Sequence, residues 1–261
     1  MASGSVTTSF NELRASGKKA LVCYITAGHP DLAKSAQLLS SLGDAGADVV
    51  EVGVPFSDPL ADGPVIQASS QQALSLGMSY DRVLELISKA RPKIPIVLFS
   101  YLNPVLAAGP DALSKARAAG AAGILITDLP VGADAAREKW LGESGLDFVR
   151  LVAPTTPTER MVEIARHGSG FVYLISRLGV TGARAELPAD LPATIDRLRT
   201  ATTLPICVGF GISRPEHAAA IGPRADGVVV GSALVAAAGR STADALGLVT
   251  KLRKGLDAAT E

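Results

Sequence analysis

Gly227-Val-Val-Val-Gly-Ser-Ala-Leu-Val-Ala-Ala-Ala-Gly239 is the longest apolar run of the chain. It opens on a β-branched triplet, breaks at Gly231-Ser232 and resumes in small and straight-chain residues, so it reads as a strand turning directly into a helix. It is too short to span a bilayer. The same signature recurs upstream: short apolar runs, continuous instead of alternating, separated by helical stretches. Continuous runs belong to parallel strands covered on both faces. Strands are expected near Ala20–Ile25, Val49–Val52, Ile96–Ser100, Gly123–Thr127, Phe148–Leu151, Phe171–Ile175, Ile206–Val208 and Gly227–Val230. Between them, spacings such as Val83, Leu84, Leu86 and Ile87 after Tyr80-Asp81 give helices an apolar face to lay on the sheet. An amphipathic piece around Phe10–Leu13 is expected to plug the N-terminal end.

Eight βα units with no dinucleotide fingerprint after the first strand favour a single (β/α)8 TIM barrel over an open doubly wound sheet. No Pro/Ser/Gly-rich linker or low-complexity tract divides the chain, so one domain over residues 1–261 is expected. Hydrophobic residues make up 48% of the 261, enough for one full core.

Twenty-five basic residues balance twenty-five acidic ones, so no global field would draw the chain to nucleic acid or anionic membrane. Any phosphate must be held locally. The start Met1-Ala-Ser-Gly-Ser-Val-Thr-Thr lacks the basic and apolar regions of a signal peptide, and a cytoplasmic protein is expected. Cys23 and Cys207 each sit in a short β-like run and are expected to be buried thiols. His29, His167 and His217 adjoin neither Cys nor paired carboxylates, so no metal site is expected.

In a barrel the chemistry gathers just past the C-terminal strand ends. The second strand runs into Val49-Val-Glu-Val-Gly-Val-Pro-Phe-Ser-Asp-Pro-Leu-Ala-Asp-Gly-Pro64, which places one carboxylate, Glu51, inside an apolar strand. Desolvation raises a carboxyl's pKa, so Glu51 facing the barrel mouth could exchange protons near neutrality. The competing reading is a structural Glu paired with a basic neighbour. Asp58 and Asp62 follow among three prolines, either as turn formers or as acids carried over the strand ends. Gly179-Val-Thr-Gly182, Gly209-Phe-Gly211 and Val228-Val-Val-Gly-Ser232 are small-residue turns at three successive strand ends. Their amides could converge on a phosphate, with an extra short helix beginning at Ser232. Tyr24, Phe99, Tyr101, Leu125, Tyr173 and Phe210 lie near strand ends, as core or as lining for an apolar substrate body. No lysine ends a strand, which disfavours a Schiff-base aldolase and leaves carboxylate acid/base chemistry on a phosphorylated substrate.

Glu51-Val-Gly-Val-Pro-Phe-Ser-Asp-Pro-Leu-Ala-Asp-Gly-Pro64 closely resembles the hallmark segment of tryptophan synthase alpha subunits. Tyr173-Leu-Ile-Ser-Arg-Leu-Gly-Val-Thr-Gly182, Gly209-Phe-Gly-Ile212 and Val230-Gly-Ser232 match further motifs of that family in order. The resemblance implies cleavage of indole-3-glycerol phosphate to indole and glyceraldehyde 3-phosphate. It implies Glu51 as principal acid/base, Asp62 assisting at the indole ring, and Tyr173 positioning them. Gly182, Gly209, Gly211, Gly231 and Ser232 fall in the phosphate-binding segments, and Tyr24 and Phe99 where the family lines its indole pocket. Thr181 would close toward Asp62, or is a simple turn residue. The resemblance further implies no cofactor in this chain, and a beta subunit carrying pyridoxal phosphate in an alpha2beta2 assembly. Asp58-Pro59 and an Asn103-Pro104 loop would face that subunit. The compartment would be the cytoplasm, or the plastid stroma for a processed organellar form. Two rivals remain on the residues alone: a sugar-phosphate isomerase using the same cradle, and a scaffold subunit without turnover.

Overall fold

The computed structural model describes residues 5–175, 188–209 and 211–258. Eight parallel strands, β1 (Ala20–Thr26), β2 (Val49–Gly53), β3 (Ile96–Ser100), β4 (Gly123–Ile126), β5 (Asp147–Val152), β6 (Val172–Ile175), β7 (Ile206–Gly209) and β8 (Gly227–Val230), pair in sequence order and close when β8 pairs with β1. The (β/α)8 barrel is the expected architecture, and each strand lies within two residues of its expected position at either end.

The helices run α1 (Val6–Ala15), α2 (Leu32–Ser41), α3 (Pro64–Ser75), α4 (Tyr80–Ala90), α5 (Leu102–Ala107), α6 (Ala112–Ala119), α7 (Ala135–Gly142), α8 (Thr158–Arg166), α9 (Leu191–Ala201), α10 (Pro215–Ile221), α11 (Ser232–Arg240) and α12 (Thr242–Ala258). No helix among the described residues is long and apolar enough to cross a membrane.

The core has two layers. Outward side chains such as Leu21, Val50, Leu98 and Ile124 meet the helices, while Ala20, Val22, Val49, Val97, Val149 and Val229 fill the barrel. With both faces of each strand buried, the runs had to be continuous. Cys23 lies in the outer layer and Cys207 inside the barrel, both free. α1 buries Val6 and Phe10 under the barrel floor, the Phe10 ring 5.2 Å from that of Phe171. That is the expected plug. Asp147 anchors it by accepting from Thr7 N (3.0 Å) and Thr7 Oγ1 (2.8 Å), and Asp226 accepts from Arg14 Nε at 3.2 Å.

Two features differ from expectation or refine it. Asn103-Pro104 is not a loop but the first turn of α5. The first amides of a helix have no intrahelical acceptor, so a proline there forfeits no bond. The extra helix after β8 does begin at Ser232, as α11, and the chain then returns along the barrel as α12.

Candidate active site

A cavity of about 360 Å³ opens at the C-terminal end of the strands. Glu51, Asp62, Tyr173, Tyr24, Phe99, Gly231 and Ser232 all line it, so most of the expected site converges in one place.

Glu51 is central in β2, in register with Tyr24 of β1 on one side and Val97 of β3 on the other. Strand parity turns it inward with Val49, where it is 1% exposed. Among the described residues, its Oε1 has no hydrogen-bond partner. A structural, ion-paired Glu would have one, and among the described residues no basic group pairs with Glu51. Burial pushes the Glu51 carboxyl from the ordinary 4.5 up to about 8.

Asp62 ends the β2–α3 loop and is buried. Pro64 at the first helical position starts α3 immediately after it, and Gly63 is the N-cap. The Asp62 main chain is held on both sides: its N–H donates to Pro59 O at 3.1 Å, and its carbonyl accepts from Gln67 Nε2 at 2.8 Å. Its Oδ2 accepts from Tyr101 Oη at 3.1 Å. Burial raises the Asp62 carboxyl to about 6, against the lowering pull of that bond.

Tyr24 and Phe99 meet edge to face across the cavity wall, centroids 5.2 Å apart. Burial, and the carboxylates nearby, raise the phenols of Tyr24 and Tyr173 above their ordinary range, so both remain neutral donors at physiological pH. Each ring needs a glycine beside it. A Cβ at Gly53 would lie 2.1 Å from Tyr24 Oη, and one at Gly209 would lie 2.2 Å from Tyr173 Oη. Gly209, expected at the phosphate, thus has its free side taken by Tyr173 and is not a cavity-lining residue.

Gly231 and Ser232 bring the N-terminus of α11 to the cavity. No lysine or arginine lines it among the described residues, which offer an anion backbone amides and the helix end. Gly211 follows β7 in a left-handed turn, φ +89°. Thr181, Gly182 and Phe210, expected at the same end, lie outside the described residues. Asp58 and Pro59 border a separate outer groove of about 620 Å³ beside the 91% exposed Leu60. Asn103 and Pro104 are on α5, away from the cavity lining.

Sequence reasoning missed Thr127, Leu151, Ala153, Thr156 and Ile175 in the wall. Two-residue parity from Tyr173 would have found Ile175. Leu125, read as core or lining, packs inside the barrel with Val97 and Val149.

Residues 10–258 match the family model described as tryptophan synthase alpha chain. The tryptophan synthase alpha chain of Desulfatibacillum aliphaticivorans is 50% identical over 232 residues, 87% of each chain. A solved structure of Mycobacterium tuberculosis tryptophan synthase superposes with TM-score 0.89 at 34% identity, covering 98% of this chain and 99% of that one. The tryptophan synthase subunit alpha of Legionella pneumophila gives 0.88 at 34% identity, over 97% and 98%. With the barrel, the buried carboxyl and these likenesses together, the chain belongs to the tryptophan synthase alpha chain family, and its reaction is the lyase cleavage of indole-3-glycerol phosphate to indole and glyceraldehyde 3-phosphate.

Proposed function

We propose that Glu51 is the acid/base of this cleavage and Asp62 its electrostatic partner. The observation that carries the reading is a buried glutamate lining the cavity with a carboxylate oxygen left unbonded by any described residue. At neutral pH a carboxyl raised to about 8 holds its proton. Glu51 delivers that proton to the indole carbon bearing the glycerol phosphate side chain, and the ring nitrogen becomes cationic. Asp62, ionised above about 6, faces the ring N–H and stabilises this charge. The carbon–carbon bond then breaks, its electron pair returns to the ring, and the side-chain hydroxyl gives its proton to the Glu51 carboxylate as the aldehyde forms. Glu51 ends protonated, ready for the next turnover. No cofactor enters these steps.

Tyr173 orients the pair, while Tyr24 and Phe99 hold the indole faces. The phosphate sits at the α11 N-terminus, on Gly231 and Ser232, with Gly211 and Gly182 contributing and Gly209 acting by seating Tyr173. The chain works as one domain, residues 1–261, supported by α1 and α12 packing on the same closed barrel.

The partner is a beta subunit in an alpha2beta2 assembly, which carries the pyridoxal phosphate and receives indole. Asp58 and Pro59 at the outer groove, with Asn103 and Pro104 on α5, form the facing surface; the exposed Leu60 beside Asp58 and Pro59 supports this. The compartment is the cytoplasm, or the plastid stroma for an organellar form. The test is indole release from indole-3-glycerol phosphate by the full chain, alone and with a cognate beta subunit. Slow release accelerated by the partner is expected; fast release unaffected by it would make this a free-standing lyase.

A further inference from the structure

Tyr101 lines no part of the cavity, yet its hydroxyl makes two bonds into the β2–α3 loop. It receives Ala61 N–H at 2.9 Å and donates to Asp62 Oδ2 at 3.1 Å. A phenol has one proton to give, so the incoming amide fixes the hydroxyl as acceptor on one side and points its donor at the carboxylate. The ring itself is locked. It is buried, packs on Phe56 with centroids 5.3 Å apart, and belongs to the residue that caps α5. The neighbouring amide, Leu102 N, donates to Asp128 Oδ1 at 2.7 Å, and Ser100 Oγ donates to Tyr101 O at 2.8 Å. The β3 end is therefore braced before it touches Asp62.

We infer that Tyr101 is a positioning residue for the cleavage: it fixes the rotamer of Asp62 and links it rigidly to the start of α5. The inference rests on the reading of Asp62 given above. A loop carboxylate with no such brace could swing away from the ring nitrogen, and a misplacement on the order of 1 Å is costly to catalysis. The charged and titratable groups bearing on this pair are few. Tyr24 of β1 and Tyr173 of β6 feel the Asp62 charge, Glu51 lies in the same cavity wall, and Asp128 after β4 bears on Tyr101. The two tyrosines stay neutral, so among the described residues the hydroxyl of Tyr101 is the contact that favours an ionised Asp62.

The experiment compares Tyr101→Phe, Asp62→Asn and the double variant in the full chain, reading kcat, KM and the pH profile of kcat/KM for indole release. Tyr101→Phe is expected to lower kcat about tenfold with KM near its native value, and to move the acid limb to higher pH. It should cost nothing further in the Asp62→Asn background. An acid limb that stays in place, or a loss that adds in full to that of Asp62→Asn, would overturn the inference and leave Tyr101 a packing residue. Native turnover by Asp62→Asn would instead remove Asp62 from the mechanism, a separate failure.

Discussion

Tyr173 and Gly209 share a space that admits no side chain on residue 209: a Cβ there would lie 2.2 Å from Tyr173 Oη and 2.5 Å from Cζ. The two residues are two register positions apart on neighbouring strands, Tyr173 pairing with Cys207 and Ile175 with Gly209. Gly209→Ala must therefore displace the ring of a fully buried tyrosine. We expect a drop in kcat and a cost of about 1–3 kcal/mol in stability, a loss of Tm that Tyr173→Phe, which keeps the ring, does not reproduce. Chemical denaturation beside steady-state cleavage checks this.

The two carboxyls set opposite limbs of a bell. On the proposed mechanism Asp62 acts ionised, so kcat/KM is expected to fall as pH drops through about 6. Glu51 acts protonated, so it is expected to fall again as pH rises through about 8. A profile of the free chain with a plateau extending well past 8 would remove Glu51 as the proton donor.

The same burial has a stability signature. The folded chain holds the Glu51 proton over a range where the unfolded chain has released it, from the ordinary 4.5 to about 8. Stability from this group therefore falls as pH rises through that window. Glu51→Gln does not titrate. Its Tm relative to the native chain should climb between pH 5 and pH 8, and a constant difference would contradict the raised pKa of the buried carboxyl.

Asp226 ties the floor together. It accepts from Ile206 N at 2.8 Å, from Arg14 of α1 and from Arg199 of α9. Burial alone would raise its pKa, but these donors outweigh it and hold the group below the usual range. Its stabilisation is present above the unfolded pKa and lost as pH falls through the folded one. Asp226→Ala should cost about 2–3 kcal/mol near neutrality, with the deficit shrinking in acid. Thermal unfolding at pH 7 and pH 3 would show it.

Gly211→Asp should weaken substrate binding twice over. An aspartate at φ +89° strains the turn after β7, and its charge opposes a phosphate at this end of the barrel. Gly211→Asn carries the strain without the charge. The prediction is a larger rise in KM for Asp than for Asn, the difference shrinking with salt.

Much of this was legible in the sequence because two patterns are physically forced. A parallel strand covered on both faces has to be an unbroken apolar run, which is why all eight were placed. A carboxylate inside such a run, Glu51, then stands out against its neighbours. Asn103-Pro104 was misread because Asn-Pro signals a turn in general, whereas in the first turn of a helix the missing amide is harmless. Gly209 could be read only as a phosphate glycine, because sequence does not show that Tyr173 fills the space beside it. Tyr101 was visible as an aromatic near a strand end, but its tie to Asp62 joins residues 39 apart and exists only once β2 and β3 pair.

The most direct test of the mechanism is single-turnover indole release by the Glu51→Gln chain with its beta partner present, alongside binding of a non-cleavable indole-alkyl phosphate. We expect release to fall by at least about a thousandfold while the phosphate ligand binds as to the native chain. Release within a few fold of native would show that the proton reaches the indole ring without Glu51, and the acid/base assignment would be wrong.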